Sequence, residues 1–208
     1  MARCLSDYPE VGVRIEDLAA PANFGKIFGR TGPVHIEIGS GKGTFLLRQG
    51  CAQPDVNFLG IEWARKYYRY AVDRIGRWGL KNVKFIRTDA ADFVIRFVGD
   101  GSVACYHIYY PDPWPKKRHH KRRFICARNV EHLIRTLSAG GIIQIATDHG
   151  DYFEQIKEVL AERRGVLEPT DFRPAAGAEK DEVIGTNYER KYIREKRDVY
   201  AIAVKRIG

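Results

Sequence analysis

The sequence feature that most constrains the fold is a regular alternation of β-rich runs with amphipathic helical patterns. The β-rich runs are short and carry branched and aromatic residues, whereas the segments between them carry apolar residues every three or four positions. Such alternation predicts parallel strands joined by crossover helices, and hence an α/β protein. The five predicted strands are Val34–Ile38, Phe58–Glu62, Val83–Arg87, Val103–Tyr109 and Ile142–Thr147. The clearest helices are Ala64–Trp78, Phe124–Leu137 and a helix from about Asp151 to Arg163.

The C-terminal part of the chain predicts how the sheet ends. Val166–Phe172 and Val199–Val204 are typical of two closing strands separated by a long loop. The sequence contains no internal repeat, low-complexity tract or convincing linker. We therefore predict one doubly wound, Rossmann-like domain over residues 34–208, preceded by an N-terminal extension over residues 1–33. Its sheet should be mostly parallel, with a C-terminal antiparallel hairpin.

The charge balance indicates the chemistry of the partner. The chain has 208 residues, with 35 Lys and Arg against 26 Asp and Glu, which gives a formal net charge of +9 at pH 7. A positive charge of this size favours polyanionic partners, and nucleic acid is the first candidate. The hydrophobic fraction of 44% and the charged fraction of 29% exclude a disordered chain, a collagen and a disulfide scaffold.

Cysteine spacing and hydropathy bear on the compartment and on metal content. The four cysteines lie far apart and form no Cys-x-x-Cys pair, so no zinc site or redox dithiol has its ligands close in sequence. We expect reduced thiols and no metal. No apolar run approaches the roughly 18 residues of a membrane-spanning helix, and the first twenty residues lack the apolar core of a signal peptide. These observations predict a soluble cytoplasmic protein without a membrane partner.

A glycine-rich turn follows the first predicted strand, with the sequence Gly39-Ser40-Gly41-Lys42-Gly43. A strand, a glycine turn and a helix in this order bring backbone N–H groups close to a ligand. A P-loop is excluded because Gly43 stands where Ser or Thr is needed, and the dinucleotide fingerprint fails because its third glycine would fall on Thr44. The remaining G-x-G-x-G pattern, preceded by Glu37, is typical of the nucleoside-binding turn associated with S-adenosylmethionine. A tight turn without a ligand is the alternative.

Two further carboxylates follow the next two predicted strands. Glu62 lies nineteen positions after Gly43, where an acidic side chain can accept hydrogen bonds from both hydroxyls of a ribose. Asp89 follows the third strand, where a carboxylate or a neighbouring amide can meet an adenine edge; taken alone, it is equally typical of a helix N-cap. Three acids beside one glycine turn predict an acidic pocket. A cationic sulfonium suits such a pocket better than a pyrophosphate, so we predict that it binds S-adenosylmethionine.

The most specific motif follows the fourth strand. Tyr110-Pro111-Asp112-Pro113-Trp114 continues into a basic run, which ends at Arg123 and contains six Lys or Arg and two His. This block resembles the signature of the bacterial tRNA guanine-N7 methyltransferase family, and the resemblance extends from about Val34 to the end of the chain. The other matching segments are Glu37 to Gly43, Gly60-Ile61-Glu62, Asp89-Ala90 and Thr186-Asn187-Tyr188-Glu189.

The resemblance implies a class I methyltransferase domain that transfers the methyl group of S-adenosylmethionine to N7 of guanosine 46 in the variable loop of tRNA. It implies that Asp112 is the catalytic or substrate-orienting acid and that Lys116 and Asp148 contact the target nucleotide. The segment expected to close over the site is Thr186, Asn187, Tyr188 and Glu189. The expected RNA contacts are Arg118, His119, His120, Lys121, Arg122 and Arg123. The expected cofactor contacts are Glu37, Gly39, Gly41, Gly43, Glu62, Asp89 and Asp112.

Several alternatives stay open on the sequence alone. The basic run is also typical of a solvated face, Thr186-x-x-Glu189 has the form of a helix capping box, and Asp148 is also typical of a helix N-cap. The rival functions are an amino-group methyltransferase acting on nucleic acid or protein, and a catalytically silent tRNA-binding protein. Monomer and homodimer are both compatible with the sequence.

Overall fold

The computed structural model describes residues 4–176, 178, 182–195 and 197–208, with the backbone alone for Asn187 and Tyr188. The strands are β1 (Gly12–Val13), β2 (Val34–Ile38), β3 (Asn57–Ile61), β4 (Val83–Ile86), β5 (Val103–Tyr109), β6 (Leu137–Thr147), β7 (Leu167–Thr170) and β8 (Tyr200–Arg206). The α-helices are α1 (Phe24–Phe28), α2 (Thr44–Ala52), α3 (Arg65–Trp78), α4 (Ala90–Phe97), α5 (Ala127–Thr136), α6 (Gly150–Ala161) and α7 (Asn187–Arg194). Short 3-10 helices cover Ile15–Asp17 and Lys117–Arg122. None of the described helices has the length and apolar character needed to cross a lipid bilayer.

The strands form one sheet in the order β1-β4-β3-β2-β5-β6-β8-β7. The pairs from β1 through β6 are parallel, whereas β8 is antiparallel to both β6 and β7. The chain builds from β2 to β4 in one direction and from β5 to β6 in the other, so the strand order reverses between β2 and β5. In open α/β sheets, ligands bind at the carboxyl ends of the strands beside such a reversal. The predicted doubly wound, mostly parallel sheet with a C-terminal antiparallel strand pair is confirmed.

Local sequence explains where most elements begin and end. β2 and β5 have the predicted bounds, and α3 ends before Gly79, whose positive φ of 64° allows the left-handed C-terminal turn. β6 begins earlier than predicted because Leu137 pairs with Val103 across a register shift. The start of β6 is therefore set by its pairing with a neighbouring strand. The sequence of β6 alone carries no information about that pairing.

The N-terminal residues pack against the rest of the domain. β1 extends the sheet as a parallel neighbour of β4. Tyr8 lies so close to Gly76 of α3 that a Cβ at residue 76 would be 2.0 Å from the tyrosine ring. Phe24 and Phe28 of α1 are buried in the main hydrophobic cluster. The described part of the predicted extension, residues 4–33, thus completes one edge of the sheet and part of the core.

The hydrophobic core lies on both faces of the sheet, as expected of parallel strands that helices cover on either side. β3 shows this most clearly, because all five of its residues are buried. One cluster includes Ile36, Ile108 and Ile143, and the other includes Phe45 and Phe85. This two-sided burial fixes the strands rigidly and holds their carboxyl ends in one row.

Candidate active site at the carboxyl ends of the strands

The glycine turn after β2 is fixed to the neighbouring strand by backbone hydrogen bonds. The amides of Gly39 and Ser40 both donate to the carbonyl of Ile61, at 2.9 and 3.0 Å. Gly39 and Gly41 have φ values of 77° and 55°, in the left-handed region that favours glycine. A Cβ at either glycine would meet nothing within 4 Å, so both border open space.

Gly43 has a different role in the same turn. Its φ is 66°, and a Cβ at this position would lie 2.8 Å from Cζ of Phe85 and 3.1 Å from Cβ of Ala71. Only glycine therefore allows the start of α2 to pack this closely on β4 and α3. The structure places Gly43 in the packing beneath the turn, whereas Gly39 and Gly41 face the space above it.

Glu62 links the glycine turn to the start of α3. It is 8% exposed, and its Oε2 accepts a hydrogen bond from the Gly41 amide at 2.8 Å while Oε1 accepts one from the Ala64 amide at 2.7 Å. An ionised carboxylate offers about four acceptor positions, so about two remain for a ligand. The sequence predicts Glu62 as a ribose acceptor; the structure adds that Glu62 also holds the turn in shape.

Glu37 is the buried acid of the site. It is 4% exposed, and its Oε2 has no hydrogen-bond partner among the described residues. Burial, together with the negative charge of Glu62, raises the pKa of Glu37 well above 4.5. A buried carboxylate oxygen without a partner is costly, and a cationic or hydrogen-bond-donating ligand would remove that cost.

Asp89 lies at the carboxyl end of β4 and begins the next helix. Its Oδ1 accepts a hydrogen bond from the amide of Asp92 at 2.9 Å, which makes it the N-cap of α4. The side chain is exposed at the same edge of the sheet as Glu62. Asp89 is therefore a helix N-cap, as the alternative predicts, and this role uses one of its two carboxylate oxygens.

The loop after β5 presents Asp112 on a rigid, strained backbone. Tyr110 and Trp114 have φ values of 50° and 43°, which are uncommon for bulky residues. Pro111 and Pro113 fix φ on either side of Asp112. The amide of Tyr110 donates to the β6 carbonyl of Ala146 at 2.7 Å. Strain of this kind persists only where the surroundings enforce one conformation, and here it holds the exposed Asp112 in a set position.

Arg123 is buried, and its assignment as an RNA contact is wrong. Its side chain is 1% exposed, so no phosphate can reach the guanidinium. Nε donates to the carbonyl of Pro113 at 2.8 Å, and the two terminal nitrogens donate to Gln155 and Asp151, both at 2.7 Å. The guanidinium also stacks 4.7 Å from the ring centroid of Tyr152. Arg123 thus connects the Asp112 loop to α6. Nothing in the basic run distinguishes Arg123 from its neighbours, so the sequence does not predict this role.

The other side chains of the basic run are exposed or half-buried. Arg122 lies over the ring of Trp114 at 4.9 Å, and His119 packs against the same ring at a centroid distance of 5.8 Å. His120 is half-buried, with Nε2 3.9 Å from the Asp151 carboxylate. No ion pair within the described part of the chain involves the exposed cations, which are Lys116, Lys117, Arg118, Lys121 and Arg122.

A contact that the sequence does not reveal covers Asp148. Nη1 of Arg197 donates to Oδ2 of Asp148 at 2.9 Å, and the guanidinium lies 4.7 Å from the ring centroid of Tyr192. Tyr192 in turn packs edge-on against Tyr110, with centroids 5.4 Å apart. The N-cap of α6 is His149, whose Nδ1 accepts from the Tyr152 amide at 3.2 Å, so the N-cap alternative for Asp148 is wrong. α7 and the residues after it therefore reach the predicted nucleotide pocket.

The Thr186 segment forms the helix cap that its spacing predicts as the alternative. Oγ1 of Thr186 accepts a hydrogen bond from the Glu189 amide at 3.0 Å. Glu189 is fully buried, and its carboxylate accepts from the amides of Val183, Ile184 and Gly185 at 2.6, 2.9 and 2.5 Å. Because both oxygens of this fully buried side chain already accept backbone amides, the assignment of Glu189 as a substrate contact is wrong, and Glu189 instead positions the start of α7. The predicted contacts of Asn187 and Tyr188 fall on side chains outside the described residues.

Comparison with known proteins places these features in a family context. Residues 31–202 match a family model described as putative methyltransferase. A tRNA (guanine-N(7)-)-methyltransferase of Rhodopirellula baltica is 37% identical over 199 residues, which are 92% of this chain and 72% of that protein. A protein of the same description from Nitrosococcus oceani is 40% identical over 164 residues, covering 79% of this chain and 69% of that protein.

The fold is shared with a wider set of solved structures. The crystal structure of the 16S rRNA methyltransferase KamB superposes with a TM-score of 0.68 over 95% of this chain and 98% of that chain, at 16% sequence identity. At this identity the likeness concerns the fold alone. It supports the strand order and the position of the strand-order reversal.

Proposed function

This chain belongs to the tRNA (guanine-N7)-methyltransferase family, and from that membership we propose that it transfers a methyl group from S-adenosylmethionine to N7 of guanosine in tRNA. We propose further that the target is guanosine 46 in the variable loop. The observation that carries the proposal is the arrangement at the strand-order reversal. There a buried carboxylate with one oxygen that has no partner among the described residues, a glycine turn bordering open space and a rigid loop presenting Asp112 lie at the carboxyl ends of the strands.

The residues at this edge fit the proposed cofactor. S-adenosylmethionine supplies an electrophilic methyl group on a positively charged sulfur, and it also carries an amino group and a ribose. Glu37 has an unsatisfied oxygen for a cationic group, and Glu62 keeps acceptor positions for ribose hydroxyls. Gly39 and Gly41 leave the backbone open to close approach. We assign Asp89, exposed at the end of β4, to the adenine side.

Asp112 supplies the electrostatic part of the reaction. Guanine N7 carries a lone pair and no proton, so the enzyme needs no general base; positioning and charge stabilisation suffice. As the methyl group moves, positive charge develops on the purine. Asp112 can accept hydrogen bonds from the N1–H and N2–H₂ edge of the guanine and stabilise that charge. Its rigid loop keeps the carboxylate in place without reorganisation during the reaction.

The surface beside Asp112 fits the RNA backbone. Lys116, Arg118, Lys121 and Arg122 are exposed and precede the buried anchor Arg123. Arg122 stacked on Trp114 offers a flat cationic surface beside the catalytic loop. We assign phosphate binding to these cations together with His119 and His120, and contact with the target nucleotide to Lys116 and Asp148. To contact the target nucleotide, Asp148 would exchange its hydrogen bond with Arg197 for one with a donor of that nucleotide.

The test is a methyl-transfer assay with labelled S-adenosylmethionine and two unmodified tRNA transcripts, one with guanosine at position 46 and one with adenosine there. We expect label in the first transcript alone, with strand scission specific for N7-methylguanosine mapping to position 46. Label on an exocyclic amine would support the amino-group alternative. Equal label in both transcripts would overturn the position, and binding of tRNA without any transfer would favour the catalytically silent protein.

A further inference from the structure

Three side chains that can bind a metal lie together on the neighbouring strands β2 and β5, and none of them is a carboxylate of the proposed active site. His35 belongs to β2, and Cys105 and His107 belong to β5. The two strands are neighbours in the sheet, with His35 paired with Cys105. One ligand atom from each of the three side chains lies within 4.8 Å of the other two. Cys105 and His107 are buried, and His35 is partly buried.

The distances suit a tetrahedral metal centre. Nδ1 of His35 and Nε2 of His107 are 3.1 Å apart. Bonds of about 2.0–2.3 Å from zinc to nitrogen and sulfur place tetrahedral ligand atoms roughly 3.3–3.7 Å from one another. The two imidazoles already have nearly this separation, and the thiol, which lies within 4.8 Å of both, would move inward by up to about 1.1–1.5 Å.

The surroundings complete the requirements of such a centre. Nδ1 of His107 lies 2.8 Å from the Tyr109 hydroxyl, which can hold the ring so that Nε2 presents its lone pair to the other ligands. A cavity of about 200 Å³ borders all three side chains and is lined also by Gln49 and Gln144. It has room for a water molecule in the fourth coordination position.

We infer that His35, Cys105 and His107 bind one zinc ion, with a water molecule from the cavity as the fourth ligand. One thiolate and two imidazoles favour zinc over magnesium and calcium, which prefer oxygen ligands. On binding, the Cys105 thiol releases its proton to solvent and the resulting thiolate forms the bond to zinc. The proton in the hydrogen bond between His35 and His107 leaves Nδ1 of His35, and Nε2 of the same ring takes up a proton, so that Nδ1 of His35 and Nε2 of His107 both present lone pairs to the metal. Since 69 residues separate Cys105 from His35, the expectation of no metal drawn from cysteine spacing does not address this site.

The test uses metal-stripped full-length protein, with cobalt as a spectroscopic probe and zinc as competitor. We expect one equivalent of cobalt with tetrahedral d–d bands and a thiolate-to-cobalt charge-transfer band, both removed by one equivalent of zinc. Cys105→Ser should abolish the charge-transfer band and weaken zinc binding more than about 100-fold, whereas Tyr109→Phe should weaken it about 10- to 100-fold. Cys51→Ser, which changes an exposed cysteine of α2, is the matched control and should behave like the wild type.

X-ray absorption of the zinc-loaded wild type gives a second measurement that needs no variant to fold. The inferred site predicts one sulfur at about 2.3 Å and nitrogen or oxygen ligands at about 2.0–2.1 Å. A zinc ion without a sulfur ligand, or a cobalt band lost in Cys51→Ser rather than in Cys105→Ser, would overturn the inference. Neither measurement uses methyl transfer, so the inference stands or falls separately from the proposed function.

Discussion

At the scale of single residues, the two glutamates of the site have different surroundings. Both oxygens of Glu62 accept backbone amides, whereas Oε2 of Glu37 has no partner among the described residues. Burial of the Glu37 carboxylate therefore destabilises the ligand-free protein, whereas Glu62 stabilises the shape of the turn. Substitution of Glu62 would disturb the glycine turn as well as the proposed ribose contact. Glu37 is the cleaner probe of cofactor charge.

Glu37→Gln should stabilise the ligand-free protein and weaken the binding of S-adenosylmethionine. Because folding raises the pKa of Glu37 above 4.5, the folded protein binds more protons here than the unfolded chain. The free energy of unfolding therefore falls as the pH rises from about 4.5 through the raised pKa. The neutral glutamine removes this fall, so the variant should melt at a higher temperature than the wild type at pH 8.

Calorimetry at pH 8 should show about 10- to 100-fold weaker binding of S-adenosylmethionine to Glu37→Gln, the loss expected for one hydrogen bond to a charged group. Glu168→Gln is the control, because this partly exposed glutamate pairs with Lys205 at the sheet edge. Identical melting profiles and affinities in wild type and Glu37→Gln would remove Glu37 from the cofactor site.

Asp112→Ala should separate chemistry from cofactor binding. Removing one preorganised stabilising group typically lowers turnover by roughly 10²–10³-fold. We expect that loss in single-turnover methyl transfer, with S-adenosylmethionine affinity nearly unchanged. Asp55→Ala, at an exposed loop before β3 on the opposite edge of the sheet, should keep full activity. A near-normal rate for Asp112→Ala would assign the aspartate to loop structure alone.

At the scale of elements, two anchors position the site from outside it. Arg123 connects the Asp112 loop to α6 through Pro113, and Glu189 fixes the turn before α7 through three backbone amides. Each anchor satisfies buried polar groups that would otherwise be unpaired. The strained backbone at Tyr110 and Trp114 lies within the loop that Arg123 holds.

Thr186→Ala should reveal whether the T-x-Y-E element does more than cap α7. Loss of an N-cap side chain costs about 1 kcal/mol of stability. Asn23→Ala removes the corresponding cap of α1, where Asn23 accepts from the Lys26 amide at 3.0 Å, and should cost a similar amount. If Thr186 only caps the helix, both variants keep the wild-type kcat/KM for tRNA well below their melting temperatures. A loss of more than about tenfold in Thr186→Ala alone would establish a substrate contact there.

At the scale of the whole molecule, the net charge is +9, and the cations differ in whether they form ion pairs with acidic residues. Lys157 and Lys205 pair with Glu154 and Glu168 at 2.7 and 2.8 Å. The exposed cations from Lys116 to Arg122 have no such ion pairs within the described residues. An uncompensated cationic surface beside the site attracts a polyanion more strongly than cations that are already neutralised.

The double variant Arg118→Ala/Arg122→Ala should flatten the salt dependence of tRNA binding. Each phosphate contact contributes roughly 0.7–0.9 to the slope of log affinity against log salt, so the slope should decrease by up to about 1.4–1.8. Lys157→Ala/Lys205→Ala removes the same charge from paired positions and should leave the slope nearly unchanged. Filter binding across a salt series measures both. Equal slopes in the two double variants would show that tRNA docks on another surface.

Features that depend on neighbours along the chain could be predicted from the sequence. The alternating runs predicted β2 and β5 with their observed bounds, Gly79 marked the end of α3, and the glycine spacing placed the turn beside Glu37. These predictions succeed because periodicity and backbone freedom are properties of a few consecutive residues. The Asp112 motif is also local, and it carried the family resemblance.

Contacts between side chains that are distant along the chain became known only from the folded structure. It buried Arg123 against α6 while leaving Arg122 exposed, paired Asp148 with Arg197, and brought His35 beside Cys105. Adjacent arginines have the same chemistry in sequence, and only the approach of α6 distinguishes them. The physical reason is that burial and pairing depend on strand order and helix packing, which bring together residues that the chain separates by dozens of positions.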